Sequence, residues 1–105
     1  MKQKEKYILK KIKSILKTSA PDARVLLYGS RARGDTQPDS DWDILVILNK
    51  KNIEPIDYEL ISFPLYELGW QEDELFSVKL YTQSEWIRRS YTPFYKNVEQ
   101  EGILL

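Results

Sequence analysis

The sequence contains no cysteine and no histidine, and these two absences exclude several kinds of chemistry. Without cysteine the chain cannot form disulfides, thiolate metal sites or a thiolate nucleophile. Without histidine it lacks the commonest general base and the usual zinc ligand. Any catalysis must therefore use carboxylates, hydroxyl groups, Lys, Arg, Tyr or a bound metal ion.

Long apolar runs are also missing. No segment approaches the roughly 20 apolar residues of a membrane span, and the lysine-rich N-terminus is not followed by the apolar stretch of a secretory signal. We therefore expect a cytoplasmic protein with no membrane partner. The 105 residues, of which 42% are apolar and 12% aromatic, predict a single domain over residues 1–105 with one compact core.

The formal net charge is zero, but positive charge is concentrated at the N-terminus. Residues 1–20 contain seven lysines and one glutamate, a net charge of +6, so the rest of the chain carries −6. The simplest interpretation is a solvated helix face. The alternative is a landing surface for RNA, DNA or an acidic partner. Tyr7 is the only aromatic residue in this segment, so nucleic acid is the less favoured partner.

Two longer helices are predicted from apolar periodicity. The first covers residues 3–18, where apolar side chains recur on one stripe and lysines occupy the other side. The second covers residues 55–68, with a kink or break at Pro64 and a C-cap at Gly69. The apolar positions expected to face the core are Ile8, Ile12, Ile15 and Leu16 in the first helix, and Ile56, Leu60 and Ile61 in the second.

Three strands are predicted between and after these helices. The runs 24–28 and 42–48 are short and apolar, as buried strands are. Residues 75–81 alternate polar and apolar side chains, as a half-exposed strand does. Helices alternating with strands predict an α/β fold with helices packed on a small mixed sheet.

The C-terminal quarter is predicted to form two short helices. The first covers residues 83–89. The second begins with Thr92 as N-cap and Pro93 at the first helical position, and it ends at Gly102 before an apolar tail. Exposed aromatic side chains here would mark an interface, although most are expected to cover the sheet. These side chains are Trp86, Tyr91, Phe94 and Tyr95.

The turn after the first predicted strand has the features of an anion site. Gly29 permits a tight turn and a close approach of backbone groups. If a helical turn begins at Ser30, several unpaired N–H groups point outward and favour a phosphate. Arg31 and Arg33 add positive charge nearby, although each alone is more often a surface residue in an ion pair.

Two aspartates open the second predicted strand. Because side chains alternate along a strand, Asp41 and Asp43 emerge on one face, while Trp42 and Ile44 anchor the other face in the core. Two carboxylates this close repel unless a cation lies between them. Mg²⁺ suits such oxygen ligands and commonly combines one or two carboxylates with substrate phosphates.

The combination of these two motifs is more specific than either alone. Gly29-Ser30-Arg31-Ala-Arg33-Gly after one apolar strand, with Ser40-Asp-Trp-Asp43 opening the next, closely resembles the DNA polymerase β-type nucleotidyltransferase superfamily. Within it, the residues resemble the small MNT-type domains, which include antitoxins of prokaryotic HEPN/MNT toxin–antitoxin pairs.

This resemblance implies a polymerase β-like nucleotidyltransferase fold and a role for each motif residue. Gly29 and Ser30 would contact the triphosphate, Asp41 and Asp43 would hold Mg²⁺, and Ser40 would contact phosphate or orient the loop. The implied substrate is an NTP, with ATP as the first candidate. An acceptor hydroxyl would attack the α-phosphate and pyrophosphate would leave.

The sequence departs from the family pattern on the third strand. Active members carry a third carboxylate there, whereas the outward positions of residues 75–81 are Ser77 and Lys79. Asp73 and Glu74 precede the apolar run and are expected to form a solvated turn. The two-ion magnesium site is therefore predicted to be incomplete, and Lys79 could act as a replacement cation.

Three functions remain open. The first is transfer of a nucleoside monophosphate to a hydroxyl acceptor, such as a partner toxin of the helical HEPN type. The second is a catalytically degenerate module that binds nucleotide or only a partner protein. The third, ranked last, is nucleic-acid binding through the basic first helix. Assembly into a homo-oligomer is compatible with each of them.

Overall fold

The structure is a computed structural model that describes residues 1–35 and 37–105. Thr36, which falls inside the polar stretch between the two motifs, lies outside the described residues. None of the helices in the described ranges is long and apolar enough to cross a membrane. The elements are α1 (Gln3–Ser19), β1 (Arg24–Tyr28), α2 (Gly29–Arg33), β2 (Trp42–Leu48), α3 (Pro55–Asp57), a π-helical turn (Tyr58–Ser62), α4 (Phe63–Glu72), β3 (Phe76–Thr82), α5 (Gln83–Arg88), α6 (Pro93–Glu101) and β4 (Ile103–Leu104).

The strands form one mixed sheet in the order β3-β2-β1-β4. β1 pairs antiparallel with both β2 and β4, and β2 pairs parallel with β3. Helices cover both faces, so the predicted α/β fold with a small mixed sheet is confirmed. The parallel pairing of β2 and β3 requires a crossover connection, and α3, the π-helical turn and α4 provide it.

Apolar residues on the two faces of the sheet pack against different helices. On one face, β1 and β2 pack against α1 and α4; on the other, they pack against α5 and α6. The predicted stripe of α1 is confirmed, with three of its residues buried and Ile15 partly buried. The buried residues of α1 are Ile8, Ile12 and Leu16.

The prediction for the second helix was wrong in its apolar stripe. Ile56 and Leu60 are exposed, and of the three expected core positions only Ile61 is buried. The buried side chains are instead Asp57, Ile61, Leu65 and Leu68, a helical stripe that starts one residue later than Ile56. The π-helical turn ends two residues before Pro64. A proline ring clashes with the preceding helical turn and provides no N–H, and a π-turn accommodates this. The helix therefore continues past Pro64 to Glu72.

Gly69 is not the C-cap that the sequence suggested. It lies inside α4, and Asp73 ends the helix in the left-handed conformation at φ 56°. A Cβ at Gly69 would lie 2.7 Å from the Glu74 carbonyl oxygen and 2.8 Å from the Phe76 ring. Glycine is required here because the chain turns back closely on the helix before entering β3.

The C-terminal residues form a strand, which the sequence analysis treated only as an apolar tail. Ile103 and Leu104 pair with Leu27 and Leu26, and the Leu105 amide donates to the Val25 carbonyl at 2.9 Å. The Thr92 cap before α6 is confirmed by the hydrogen bond from the Tyr95 amide to its hydroxyl. The four C-terminal aromatics differ in exposure: Trp86 is buried, Phe94 and Tyr95 are half-buried, and Tyr91 is exposed.

Candidate nucleotide and metal site

The turn after β1 brings backbone directly against a carboxylate. Gly29 begins α2 with φ 73°, a conformation that L side chains rarely adopt. A Cβ placed there would overlap Asp43 Oδ2. Gly29 is therefore required for two reasons, its left-handed backbone and its contact with Asp43. Gly34 ends the same helix at φ 82°, but a Cβ there would meet nothing within 4 Å.

Asp43 lies on the face of the sheet opposite to that of its neighbours Trp42 and Ile44. Those two residues are fully buried against α1 and α4. Asp43 is half-buried and pairs with Tyr28 of β1, while Asp41 is exposed just before β2 begins. The alternation is confirmed for Trp42, Asp43 and Ile44, whereas Asp41 lies outside the strand.

The electrostatics of Asp43 show which charged groups lie close to it. Burial raises the pKa of its carboxyl above the usual value, and the charge of Asp41 raises that pKa further. Lys79 and Arg33 act in the opposite direction and lower it. A cation bound between Asp41 and Asp43 would relieve this repulsion on the Asp43 carboxylate, and carboxylate oxygens are suitable ligands for Mg²⁺.

The register of β3 places a hydroxyl beside this carboxylate. Ser77 pairs with Asp43 and Lys79 pairs with Leu45, so both side chains emerge on the face of Asp43. In the described part of the chain, no group of three or more acidic side chains could hold a metal ion. A metal bound here would therefore use Asp41 and Asp43 without a third carboxylate.

Glu74 faces away from this site and is not in the solvated turn that the sequence suggested. Its side chain is only 13% exposed and forms ion pairs with Lys4 at 3.3 Å and Arg31 at 3.4 Å. Glu74 therefore cannot replace the missing carboxylate, because it belongs to an ion-pair cluster on the α1 side of the sheet.

Arg31 does not face Asp43. Its side chain is 6% exposed, and the guanidinium lies 4.5 Å from the centre of the Trp42 ring, on the buried α1 side. It donates to the Ser40 carbonyl from Nη2 at 2.8 Å and from Nε at 3.2 Å, and it pairs with Glu5 at 3.1 Å. Arg31 thus joins α2 to the segment that carries both aspartates, from the side of the sheet opposite to Asp43.

Arg33 and Ser40 have different surroundings. The Arg33 guanidinium is exposed and pairs with Asp35 at 3.2 Å and Glu101 at 3.3 Å. The Ser40 hydroxyl accepts a hydrogen bond from the Gln37 amide at 2.8 Å, so it orders the loop before Asp41. Among the predicted residues, Gly29, Arg33 and Asp41 lie close to Asp43. Ser40 contributes indirectly, through its hydrogen bond within the loop that precedes Asp41.

A shallow pocket of about 210 Å³ beside Gly29 contains residues that the sequence analysis did not select. Tyr28 forms one wall, and burial, with a further contribution from Asp43, raises the pKa of its hydroxyl to about 12. The opposite wall comes from α6. The i, i+3 spacing of Phe94 and Asn97 predicts that they share one face of a helix. The sequence around them does not indicate that this face packs beside Gly29. The pocket residues are Tyr28, Gly29, Arg33, Phe94, Asn97, Val98 and Glu101.

The model of the nucleotidyltransferase domain family matches residues 9–104. No curated protein sequence matches the chain significantly. Among solved structures, one described as a candidate minimal nucleotidyltransferase is similar with a TM-score of 0.65 and 22% identity, over 95% of this chain and 94% of that one.

Two toxin–antitoxin structures are also similar. A toxin–antitoxin solved with AMP-PNP has a TM-score of 0.62 and 23% identity, over 90% of this chain and 69% of that one. A mutant of the toxin–antitoxin MntA-HpeT has a TM-score of 0.58 and 25% identity, over 92% and 70%. The likeness to the minimal nucleotidyltransferases, including antitoxin-type members, agrees with the resemblance drawn from the two motifs.

Proposed function

The chain belongs to the nucleotidyltransferase domain family, and on that premise we propose that it binds Mg²⁺ and an NTP at the segment from Gly29 to Asp43. We further propose that it transfers the nucleoside monophosphate to a hydroxyl group of a partner protein. The observation that carries this proposal is the contact between the Gly29 backbone and the Asp43 carboxylate.

This contact supports a shared site for phosphate and metal. The first amides of α2 have no acceptor within the helix, and they begin where Asp43 approaches the backbone. A phosphate oxygen held by Gly29 and Ser30 would be close enough to share a cation with Asp41 and Asp43. The donor set consists of oxygens alone, which fits Mg²⁺.

Each residue has a distinct part in this proposal. Asp41 and Asp43 hold the metal that accompanies the triphosphate, and that ion would neutralise charge on the phosphates during transfer. Arg33 lies on the same face and adds positive charge near the phosphates. The acceptor hydroxyl oxygen would attack the α-phosphorus in line and release its proton to solvent. The bond between the α-phosphorus and the oxygen that bridges it to the β-phosphorus would break, and pyrophosphate would leave.

The proposed partner is a toxin protein. Two of the similar structures are toxin–antitoxin proteins, and one of them was solved with AMP-PNP. ATP is therefore the first nucleotide to test. The motif resemblance points to a helical HEPN-type protein as the acceptor.

A labelling experiment tests transfer. The chain, Mg²⁺ and ATP labelled at the α-phosphate are incubated with a candidate partner, a helical protein of the HEPN type. We expect label on the partner and release of pyrophosphate, and both should be lost in Asp41→Asn/Asp43→Asn. An unlabelled partner in the presence of bound nucleotide would contradict transfer and favour the second function below.

A specific observation favours a second function, nucleotide or partner binding without transfer. Ser77 takes the position beside Asp43, and Lys79 lies close enough to lower the pKa of Asp43. A lysine near the aspartates can compensate part of their charge without a second metal ion. This function predicts that the chain neutralises the partner toxin equally well after Asp41→Asn/Asp43→Asn. Loss of neutralisation in that variant would contradict it.

A further inference from the structure

A second cleft lies on the face of Asp43, farther along the edge strand β3. Its volume is about 530 Å³. Because side chains alternate along a strand, Tyr81 emerges on the same face as Ser77 and Lys79. Phe94 lines both this cleft and the pocket beside Gly29, so the two are neighbours. The cleft is lined by Tyr81, Arg88, Arg89, Tyr91, Thr92 and Phe94.

The cleft is positively charged. Arg88 and Arg89 line it, and in the part of the chain that the structure describes neither has a carboxylate within ion-pair distance. The acidic residue of α5, Glu85, is engaged elsewhere, since its carboxylate accepts the Thr82 amide at 2.9 Å. Lys79 extends the positive charge toward the Asp43 site, with its Nζ 6.0 Å from the centre of the Phe94 ring.

Aromatic rings stand beside these cations. The Arg89 guanidinium lies 4.5 Å from the centre of the Tyr81 ring and donates to the Glu85 carbonyl at 3.0 Å, so it is held in place before any ligand arrives. Tyr91 is 79% exposed. Arginines at a helix C-terminus also stabilise its dipole, but that role does not require an exposed ring next to them.

We propose that this cleft binds single-stranded nucleic acid, with phosphates on Arg88 and Arg89 and a base stacked on Tyr91. Basic side chains that follow a phosphate backbone and rings that stack on bases are the two components of such sites. This surface differs from that of α1. Among residues 1–20 Tyr7 is the one aromatic residue, and its ring is already in contact with a lysine, since its centre lies 5.5 Å from Lys11 Nζ. Binding here does not depend on nucleotide transfer.

Fluorescence anisotropy with labelled ten-nucleotide RNA and DNA strands, in the absence of NTP and metal, tests the proposal. We expect the affinity to fall with salt, and Arg88→Gln/Arg89→Gln to reduce the logarithmic salt slope by about 0.7 for each lost phosphate contact. Tyr91→Ala should weaken binding roughly 5- to 100-fold. Because Tyr91 is exposed, its truncation should leave the thermal unfolding midpoint unchanged.

The matched control is Lys6→Gln/Lys10→Gln, which removes the same charge from exposed positions of α1. We expect this variant to keep most of the affinity. No binding at low salt, or greater loss in the α1 variant than in the cleft variant, would overturn the proposal. Equal competition by an acidic peptide would also overturn it, because the cleft would then bind anions without regard to bases. Since the assay contains no NTP, failure of transfer does not affect its outcome.

Discussion

Ser77 and Asp43 are direct partners in the parallel pairing of β3 with β2, and their side chains emerge on the same face of the sheet. The motif resemblance implies a third carboxylate on this strand. A hydroxyl in its place leaves the site with the charge of Asp41 and Asp43, and Lys79 compensates part of that charge. Binding of the metal that travels with the triphosphate is therefore expected to be retained better than binding of a second metal ion.

Restoring a carboxylate at Ser77 should strengthen metal binding. Without metal, we expect Ser77→Asp to lower the free energy of unfolding by about 1 kcal/mol, because it places a third negative charge beside two others. Added Mg²⁺ should reverse this loss and raise the rate of pyrophosphate release. Thermal unfolding with and without Mg²⁺ measures the first effect, and Ser77→Asn is the neutral control of the same shape. Equal responses of the two variants to Mg²⁺ would show that position 77 does not face the metal.

The two left-handed glycines of α2 provide a second, paired prediction. Gly29→Ala and Gly34→Ala should each destabilise the fold by about 1–2 kcal/mol through backbone strain. Only Gly29→Ala should also abolish Mg-ATP binding, because only its Cβ would overlap the Asp43 carboxylate. Calorimetric titration of both variants checks this. Retained binding in Gly29→Ala would contradict the shared phosphate and metal site.

Arg31 should matter for stability and for the position of the aspartates. Arg31→Met removes the donor to the Ser40 carbonyl and the guanidinium beside Glu5, and it leaves Glu74 with Lys4 as its cationic partner. We therefore expect a loss of about 2–4 kcal/mol in unfolding free energy. Urea unfolding measures it. Arg33→Met, at an exposed position, should change stability little but weaken ATP binding. If Arg31→Met weakened ATP binding without a loss of stability, and Arg33→Met left ATP binding unchanged, then Arg31 rather than Arg33 would contact the nucleotide.

Acid stability should depend on Glu99. The Arg24 guanidinium lowers the pKa of Glu99 below its ordinary value of 4.5; burial opposes this, and the Trp86 indole N–H also lowers it. A carboxyl group whose pKa is lower in the folded than in the unfolded state stabilises the fold at pH values above its ordinary pKa. That stability is lost as the pH falls through the lowered pKa. Glu99→Gln should cost about 1 kcal/mol at neutral pH and less in acid, at a pH below the lowered pKa of Glu99. Urea unfolding at both pH values tests this, and an equal loss at both would assign the effect to packing.

Local sequence patterns were sufficient to predict the centre of the fold and the strand face on which Asp43 lies. The runs 24–28 and 42–48 are too short and too apolar for surface helices, so their strand assignment required no tertiary information. The same alternation placed Asp43 opposite Trp42. It also placed Ser77 on the outward face of its strand, where the register of β3 puts it beside Asp43.

Features that depend on distant partners were missed. Ile103 and Leu104 become a strand only because β1 offers a free edge. Ile56 and Leu60 are exposed because the segment turns Asp57 and Ile61 toward the core instead. That choice of face includes a buried aspartate paired with Lys50, which apolar periodicity does not predict. Arg31 is buried because the Trp42 ring and Glu5 lie on the other side of the sheet, a position that its neighbours in sequence do not indicate.

Calorimetric titration of the chain with Mg-ATP tests the central claim most directly, with Asp41→Ala/Asp43→Ala as the comparison. The site at Gly29 to Asp43 predicts binding that requires Mg²⁺ and that disappears in the double variant, while thermal unfolding shows the variant to be folded. Binding of unchanged strength in the double variant would contradict the placement of the nucleotide and the metal at this segment.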